Sequence, residues 1–372
     1  MNSSRIRWLG VLALILSAVL LGTACGGDDN DEPTREPDPV ADPTAGADPE
    51  PDPTAGGTAE PLTGDLIIYS GRREPLFQPV VEAFEEATGI DVTVRYGSTA
   101  ELGNALIEEA DNPRADLFVG TDAATAEALR ERGLFAPFDD PALATHDAAF
   151  RADDGTWVGI SGRARVIMYN TELVSQDELP DSVFDLVDPR WDGQVAMPST
   201  ANSSLTAWVS SLRVLVGDDR TRELLEGLKD NGVAVLREHT DVRNAVGDGE
   251  FALGLVNHYY YQLEKEEGSP VGVIYPDQQP GEVGVLVNAA AASIVEGAPH
   301  MENAVAFMRF LLGAEAQRIF ADANFEYPLA GGITQSRADV QRGAFVESDV
   351  DLVELGMMND STLDFLDEIG LE

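Results

Sequence analysis

An alternation of short apolar strands and amphipathic helices, beginning at Asp65, limits this chain more than any other feature. Leu66-Ile67-Ile68-Tyr69 has the pattern of a buried strand, and Ser70-Gly71-Arg72-Arg73 is a polar turn. Helical spacing follows from Pro79 to Ala87, with Val80, Val81 and Phe84 on one face and Gly89 as the stop. Ile90 to Val94 is the next strand, Ala100 to Ala110 the next helix and Ala115 to Val119 a third strand. This βαβαβ order predicts an α/β fold, a mostly parallel sheet with helices on both faces. Ligands of such sheets sit beyond the carboxyl ends of the strands, so turns 69–73 and 120–124 are candidate site loops.

Further along, Gly155 to Asn170 is a long strand punctuated by glycine, a candidate crossing between two lobes. Ser199, Thr200, Asn202, Ser203 and Ser204 precede an apolar helix through Leu205, Trp208 and Leu212. Such residues cap helices, and a helix start also offers free N–H groups to an anion. Both readings stand. Val285 to Val287 and Ala289 to Val295 are returning strands, and Met301 to Leu312 is an amphipathic helix.

The most unusual stretch is Leu253-Gly254-Leu255-Val256-Asn257-His258-Tyr259-Tyr260-Tyr261. A strand sends neighbours to opposite faces and a helix separates them by about 100°. Adjacent phenols therefore converge only where the chain changes direction, and the helix formers from Gln262 to Glu267 make a strand-to-helix junction plausible here. Paired phenolates suit a hard, highly charged cation. The competing reading is three aromatics packing a core.

The formal charge is −42, from 66 acidic against 24 basic residues. That field repels nucleic acid and anionic lipid, and any anionic ligand must be met by local basic groups. No Walker loop, GxGxxG, paired-histidine zinc motif or GxSxG elbow is present, and the four histidines are scattered. Residues 1–25 form a targeting segment: Arg5 and Arg7, then an apolar stretch from Trp8 to Leu21. Leu21-Gly22-Thr23-Ala24-Cys25 resembles a bacterial lipobox, with Gly22 where Leu is usual, which makes Cys25 the expected lipidated first residue. Residues 26–63 are almost wholly Asp, Glu, Pro, Thr, Gly and Ala, a disordered acidic tether able to reach on the order of 100 Å.

Several motifs, in order, resemble the bacterial periplasmic ferric-ion-binding proteins, solute receptors of iron ABC transporters. They are Ile68-Tyr69-Ser70-Gly71-Arg72, Ala115-Asp116-Leu117-Phe118, Ser161-Gly162-Arg163-Ala164-Arg165-Val166, Pro189-Arg190-Trp191-Asp192-Gly193, Asn257-His258-Tyr259-Tyr260 and Glu326-Tyr327-Pro328-Leu329. The resemblance implies a two-lobed periplasmic-binding-protein fold with a hinged cleft. Lobe 1 would span about 64–162 plus 283–313, and lobe 2 about 163–282 plus the C-terminal helices. It implies Tyr259 and Tyr260 as ligands to Fe(III), and Arg163 holding a synergistic anion, carbonate or phosphate. Ala201, Asn202 and Ser203 fall on the loop that cradles this anion, with Asn257 nearby and Arg72 a further candidate. His239 replaces an Asn near the anion and is expected as a hydrogen-bond donor there.

Two departures leave the rest of the iron shell open. Arg73 stands where some members place a ligating His, and the loop Gly120-Thr121-Asp122-Ala123 carries Asp122 one position after the Glu of others. Asp122, water and carbonate are the candidates. The expected protein is a monomeric, non-enzymatic lipoprotein on the outer face of the cytoplasmic membrane or in the periplasm, delivering iron to a permease. The alternatives are the same fold binding a small anionic or phosphorylated metabolite through Arg163 and Arg72, or an extracellular enzyme using Asp122 or Glu74.

Overall fold

The computed structural model describes residues 63–371; Cys25, the targeting segment and nearly all of the acidic stretch lie outside the described residues. The chain opens with β1 (Asp65–Ser70), α1 (Glu74–Thr88), β2 (Asp91–Tyr96), α2 (Thr99–Glu108), β3 (Leu117–Gly120), α3 (Ala123–Arg130) and β4 (Phe135–Ala136). The long β5 (Val158–Asn170) leads to β6 (Val195–Pro198), α4 (Ser203–Val216), α5 (Asp218–Asp230), β7 (Ala234–Leu236), α6 (His239–Gly247), β8 (Leu253–Asn257), α7 (His258–Glu266) and β9 (Val271–Ile274). The return is β10 (Val287–Val295), α8 (Met301–Leu311), α9 (Ala314–Ala323), α10 (Leu352–Met357) and α11 (Asn359–Ile369).

The strands run in the order β2-β1-β3-β10-β5-β8-β6-β7, with β4 beside β10 and β9 beside β5. Parallel pairing, expected from the βαβ order, occurs at both flanks: β1 with β2 and β3, and β6 with β7 and β8. The centre is antiparallel, because β10 returns against β3 and β5 while β5 runs against β8 and β9. β5 joins the two halves. Its first part pairs with β10 up to Ala164, and from Arg165 onward it pairs with β8 and β9. All thirteen of its residues are buried, so its polar side chains face protein rather than bulk water.

Each half has an apolar filling dictated by helical spacing. In the first half Phe77 and Phe84 of α1 meet Phe307 of α8 edge-on, at 6.2 and 4.8 Å between ring centres. At the C-terminus α10 packs on α3 and α4. Gly356 lies so close to α3 that a Cβ there would fall 2.3 Å from Glu127 Cβ. Among the described residues no helix is long and apolar enough to cross a membrane.

Candidate functional site

Strand register builds the floor of the site. Arg163 and Arg165, two apart on β5, share one face. Arg163 lies opposite Asn288 of β10, and Arg165 opposite Asn257 of β8. Opposed residues on antiparallel strands project to the same side, so two guanidinium groups and two carboxamides form one layer, all buried. Thr121 from the turn after β3 and Ser204 from the first turn of α4 complete the walls with Leu286. The enclosed cavity is about 10 Å³, room for about one water molecule.

Several donors around this cavity have no partner. Arg163 Nε and Nη2 and Arg165 Nε are buried without a hydrogen bond. Arg165 Nη2 donates to the carbonyl and hydroxyl oxygens of Ser204, both at 2.6 Å. Burial pushes the Arg165 guanidinium down to about 9, against the favourable influence of Tyr259. Arg72 is differently placed: Nη2 donates to Glu326 Oε2 at 2.6 Å and Nη1 to Ser161 Oγ at 3.0 Å. Burial alone would raise the Glu326 carboxyl; Arg72 and Arg163 outweigh it and hold it below its usual range. Arg163 Nε is 3.8 Å from Glu326 Oε1. Two buried arginines thus face one buried carboxylate, and Arg165, buried against Ser204 and His239, adds a further positive charge to the floor.

The tyrosines stand at the edge of this floor. Asn257 is extended (φ −81°, ψ 148°) and the next residue is helical, so the chain turns at this point. The turn lets neighbouring side chains converge: the rings of Tyr259 and Tyr260 are 4.3 Å apart at 32°. They are 4% and 8% exposed. Burial, reinforced by the Tyr259 phenol, raises the Tyr260 pKa well above its ordinary value, while Arg73 and Arg163 oppose this. Tyr260 is therefore neutral until a strong cation replaces its proton. Tyr261 faces elsewhere and donates to Asp339 Oδ2 at 3.0 Å.

The two neighbouring histidines divide their work. His258 accepts from the Ala164 N–H at Nδ1 (3.1 Å), donates from Nε2 to the Phe325 carbonyl (2.9 Å) and stacks on Tyr327 at 4.1 Å. It fastens the start of α7 to β5. His239 is buried with Nε2 3.3 Å from Arg165 Nη1 and 3.1 Å from Ser204 Oγ, and its ring centre is 5.3 Å from that of Tyr260. Burial, then Arg165 and Arg163, holds its pKa well below the ordinary value. Arginine only donates, so neutral His239 accepts at Nε2 and carries its proton on Nδ1.

Other expected residues are spread around the cleft. Asn202 caps α4 by accepting from the Ser204 N–H at 3.2 Å, and Ser203 Oγ lies 3.0 Å from Thr121 Oγ1. Ala201 is exposed. These three do not line the cavity; Ser204 does. Asp122 turns both carboxylate oxygens to Thr125, accepting from its N–H at 2.7 Å and its hydroxyl at 3.1 Å, and so caps α3. Arg73 donates to Thr240 of α6. Among the described residues no cluster of three His, Cys, Asp or Glu is placed to hold a metal. Arg165, Thr121, Ser204, Asn288 and Glu326 were not singled out as site residues from the sequence. Arg165 could have been, from its two-residue spacing to Arg163.

Residues 112–344 match the bacterial extracellular solute-binding protein family. The Fe(3+)-binding periplasmic protein of Serratia marcescens is 31% identical over 272 residues, covering 72% of this chain and 79% of that protein. The structure of iron-bound HitA from Pseudomonas aeruginosa superposes with a TM-score of 0.77 at 27% identity, covering 82% of this chain and 99% of that one. That of Trichodesmium IdiA (FutA) in complex with iron and citrate ligands gives 0.70 at 27% identity, covering 83% and 100%. With sequence, fold and relatives in agreement, the chain belongs to the bacterial extracellular solute-binding proteins, beside the periplasmic ferric-ion-binding proteins, and is a binding protein rather than an enzyme.

Proposed function

We propose that this protein captures Fe(III) outside the cytoplasmic membrane on Tyr259 and Tyr260, beside a small oxyanion held by Arg163 and Arg165, and delivers it to an ABC-transporter permease. The observation that carries this reading is the convergence of two buried phenols on a floor with excess positive charge. A trivalent ion is hard enough to displace both phenolic protons. Two phenolates still leave Fe(III) cationic, and the guanidinium groups beside it add to that charge. A carbonate or phosphate offsets both and supplies oxygen ligands for positions the protein leaves open. Names of relatives support the cargo, and citrate beside iron in the Trichodesmium structure supports an accompanying anion. Cys25 would anchor the protein, as a monomer, to the membrane that houses its permease.

The test is the visible spectrum of the full chain after exposure to ferric citrate and bicarbonate. A tyrosinate-to-iron charge-transfer band, lost in Tyr259→Phe and in Tyr260→Phe, is the expected result. A colourless protein that retains no iron would end the proposal. The unpartnered donors of Arg163 and Arg165 favour one other cargo, a small anionic metabolite without metal. Saturable binding of such an anion, unaffected by either Tyr→Phe change and without any iron band, would identify that case.

A further inference from the structure

His258 touches three parts of the site at once. It is the first residue of α7, directly before Tyr259 and Tyr260. Its Nδ1 accepts from the Ala164 N–H at 3.1 Å, and Ala164 lies between Arg163 and Arg165 on β5. Its Nε2 donates to the Phe325 carbonyl at 2.9 Å, and Phe325 precedes Glu326, the carboxylate that faces Arg72 and Arg163. The ring is buried and lies flat on that of Tyr327, with centres 4.1 Å apart at 3°.

The first bond stands where a rung of the sheet would be. β8 runs antiparallel to β5 with Arg165 opposite Asn257, so Ala164 and His258 form the next pair. His258 is already helical, and the backbone partner that a longer strand would offer is missing. A buried N–H needs an acceptor, and the imidazole Nδ1 supplies it. One side chain thus ends the ladder at its own residue. The chain is then free to turn into α7 where the two adjacent phenols converge.

The second bond holds an awkward stretch of chain. Phe325 has φ 60°, in the left-handed region that a bulky residue seldom adopts. Just beyond it, Gly162 and Tyr327 exchange backbone hydrogen bonds of 2.7 and 2.9 Å, which pin the segment to β5. Between these ties Glu326 is carried, fully buried, to the arginines. Phenols, arginines and carboxylate therefore share one reference point, the imidazole of His258.

We propose that His258 is the positioning residue of the metal site: through these two bonds it fixes where the phenol oxygens of Tyr259 and Tyr260 stand relative to Arg163 and Glu326. This inference rests on those phenols being the iron ligands and adds what aims them. His258 has both ring nitrogens engaged within the protein, so it acts through its neighbours and ligates nothing itself.

The test uses the full-length chain with His258→Phe, which keeps a ring on Tyr327 and loses both bonds, and His258→Gln, whose amide can still donate to Phe325. Phe307→Leu, in the apolar filling of the first half, is a control that loosens the protein away from the site. Each is loaded with ferric citrate and bicarbonate. His258→Phe should weaken iron retention against a competing chelator by about 10–100-fold, the usual worth of a group that supports a metal ligand. Its tyrosinate band and the electron paramagnetic resonance of its Fe(III) should both shift, with His258→Gln in between. Phe307→Leu should leave band, resonance and retention as in the parent, even where its urea midpoint falls as far. Parent-like iron spectra in both His258 variants, or equal shifts in Phe307→Leu, would overturn the inference. If His258→Phe does not fold, His258→Gln decides alone, and unshifted spectra overturn it. Crystals of the metal-free parent and His258→Gln give a reading that needs no iron: displaced Tyr259 and Tyr260 oxygens support the inference, and superposable ones overturn it. Displaced phenols with no tyrosinate band in the parent defeat the iron reading alone; a normal parent band with unmoved phenols defeats this inference alone.

Discussion

Arg72 and Arg163 are both buried and both face Glu326, but the first is hydrogen-bonded to it and the second is not. Arg72 has Glu326 at 2.6 Å and Ser161 at 3.0 Å. Arg163 has Glu326 at 3.8 Å, with Nε and Nη2 unpartnered. A buried charge whose donors lack hydrogen bonds is costly, and Arg163 carries that cost where Arg72 does not. The paired arginine holds β5, the turn after β1 and the segment after α9 together. The other, with Arg165, is the one the proposed anion would meet.

The largest expected effect lies with Arg72. Arg72→Met leaves Glu326 buried and deprived of its main partner, and breaking such a pair typically costs about 3–5 kcal/mol. Urea unfolding of the metal-free protein measures it. Arg163→Met, by contrast, removes a cation that meets Glu326 only at 3.8 Å and leaves the Arg72 pair in place, so it should cost less, about 1 kcal/mol. Equal losses in the two variants would erase the distinction between a structural and a functional arginine.

Next come the phenols. Tyr259→Phe and Tyr260→Phe keep the neighbouring rings and remove only oxygen. Groups that merely support metal ligands are worth about 10–100-fold in affinity, so direct ligands should exceed about 100-fold, measured by competition with a chelator. Both variants should unfold near the parent midpoint. If both bind iron normally, the tyrosines are packing residues. Arg163→Met then gives the intermediate effect, weakening iron retention by about 10–100-fold. Added bicarbonate, which tightens the parent, should do little for this variant.

How much of this was legible in the sequence depended on distance along the chain. The turn that joins Tyr259 to Tyr260 is local: an apolar run into Asn257, then helix formers. Arg163 came from a motif, and Arg165 lies one strand period beyond it. Asn288 could not be read, because only the register of β10 on β5 brings it beside Arg163. Thr121 and Ser203 likewise meet across two separate β–α turns. Asp122 obeys the plainer rule that an Asp before a helix caps it. Helix α1 begins at Glu74, five residues before the Pro79 start expected from spacing. Pro75 suits a helix's first turn, and Pro79, one turn further in, lies inside the helix at the cost of one backbone bond and a crowded carbonyl at Pro75.

The smallest expected effect separates the two histidines by pH. His258 has both ring nitrogens hydrogen-bonded, and burial lowers its pKa from 6.5 to about 4. Its neutral form is the folded form. Above pH 6.5 folded and unfolded chains both leave it neutral, and its contribution to stability is complete. Below that value the unfolded chain takes up a proton that the folded chain refuses, so stability falls as pH drops towards about 4 and then levels off. His239 and His146 are shifted in the same direction by burial and add to the slope. His258→Asn should therefore lower stability by about 1–3 kcal/mol at neutral pH, from the unpaired Ala164 N–H and Phe325 carbonyl. It should also flatten the slope between those pH values, by at most about 1.4 kcal/mol per pH unit. Urea midpoints for parent and variant across that range, without metal, provide both numbers. A variant as pH-sensitive as its parent would mean that His258 is not the group refusing the proton, and the slope would then belong to His239 and His146.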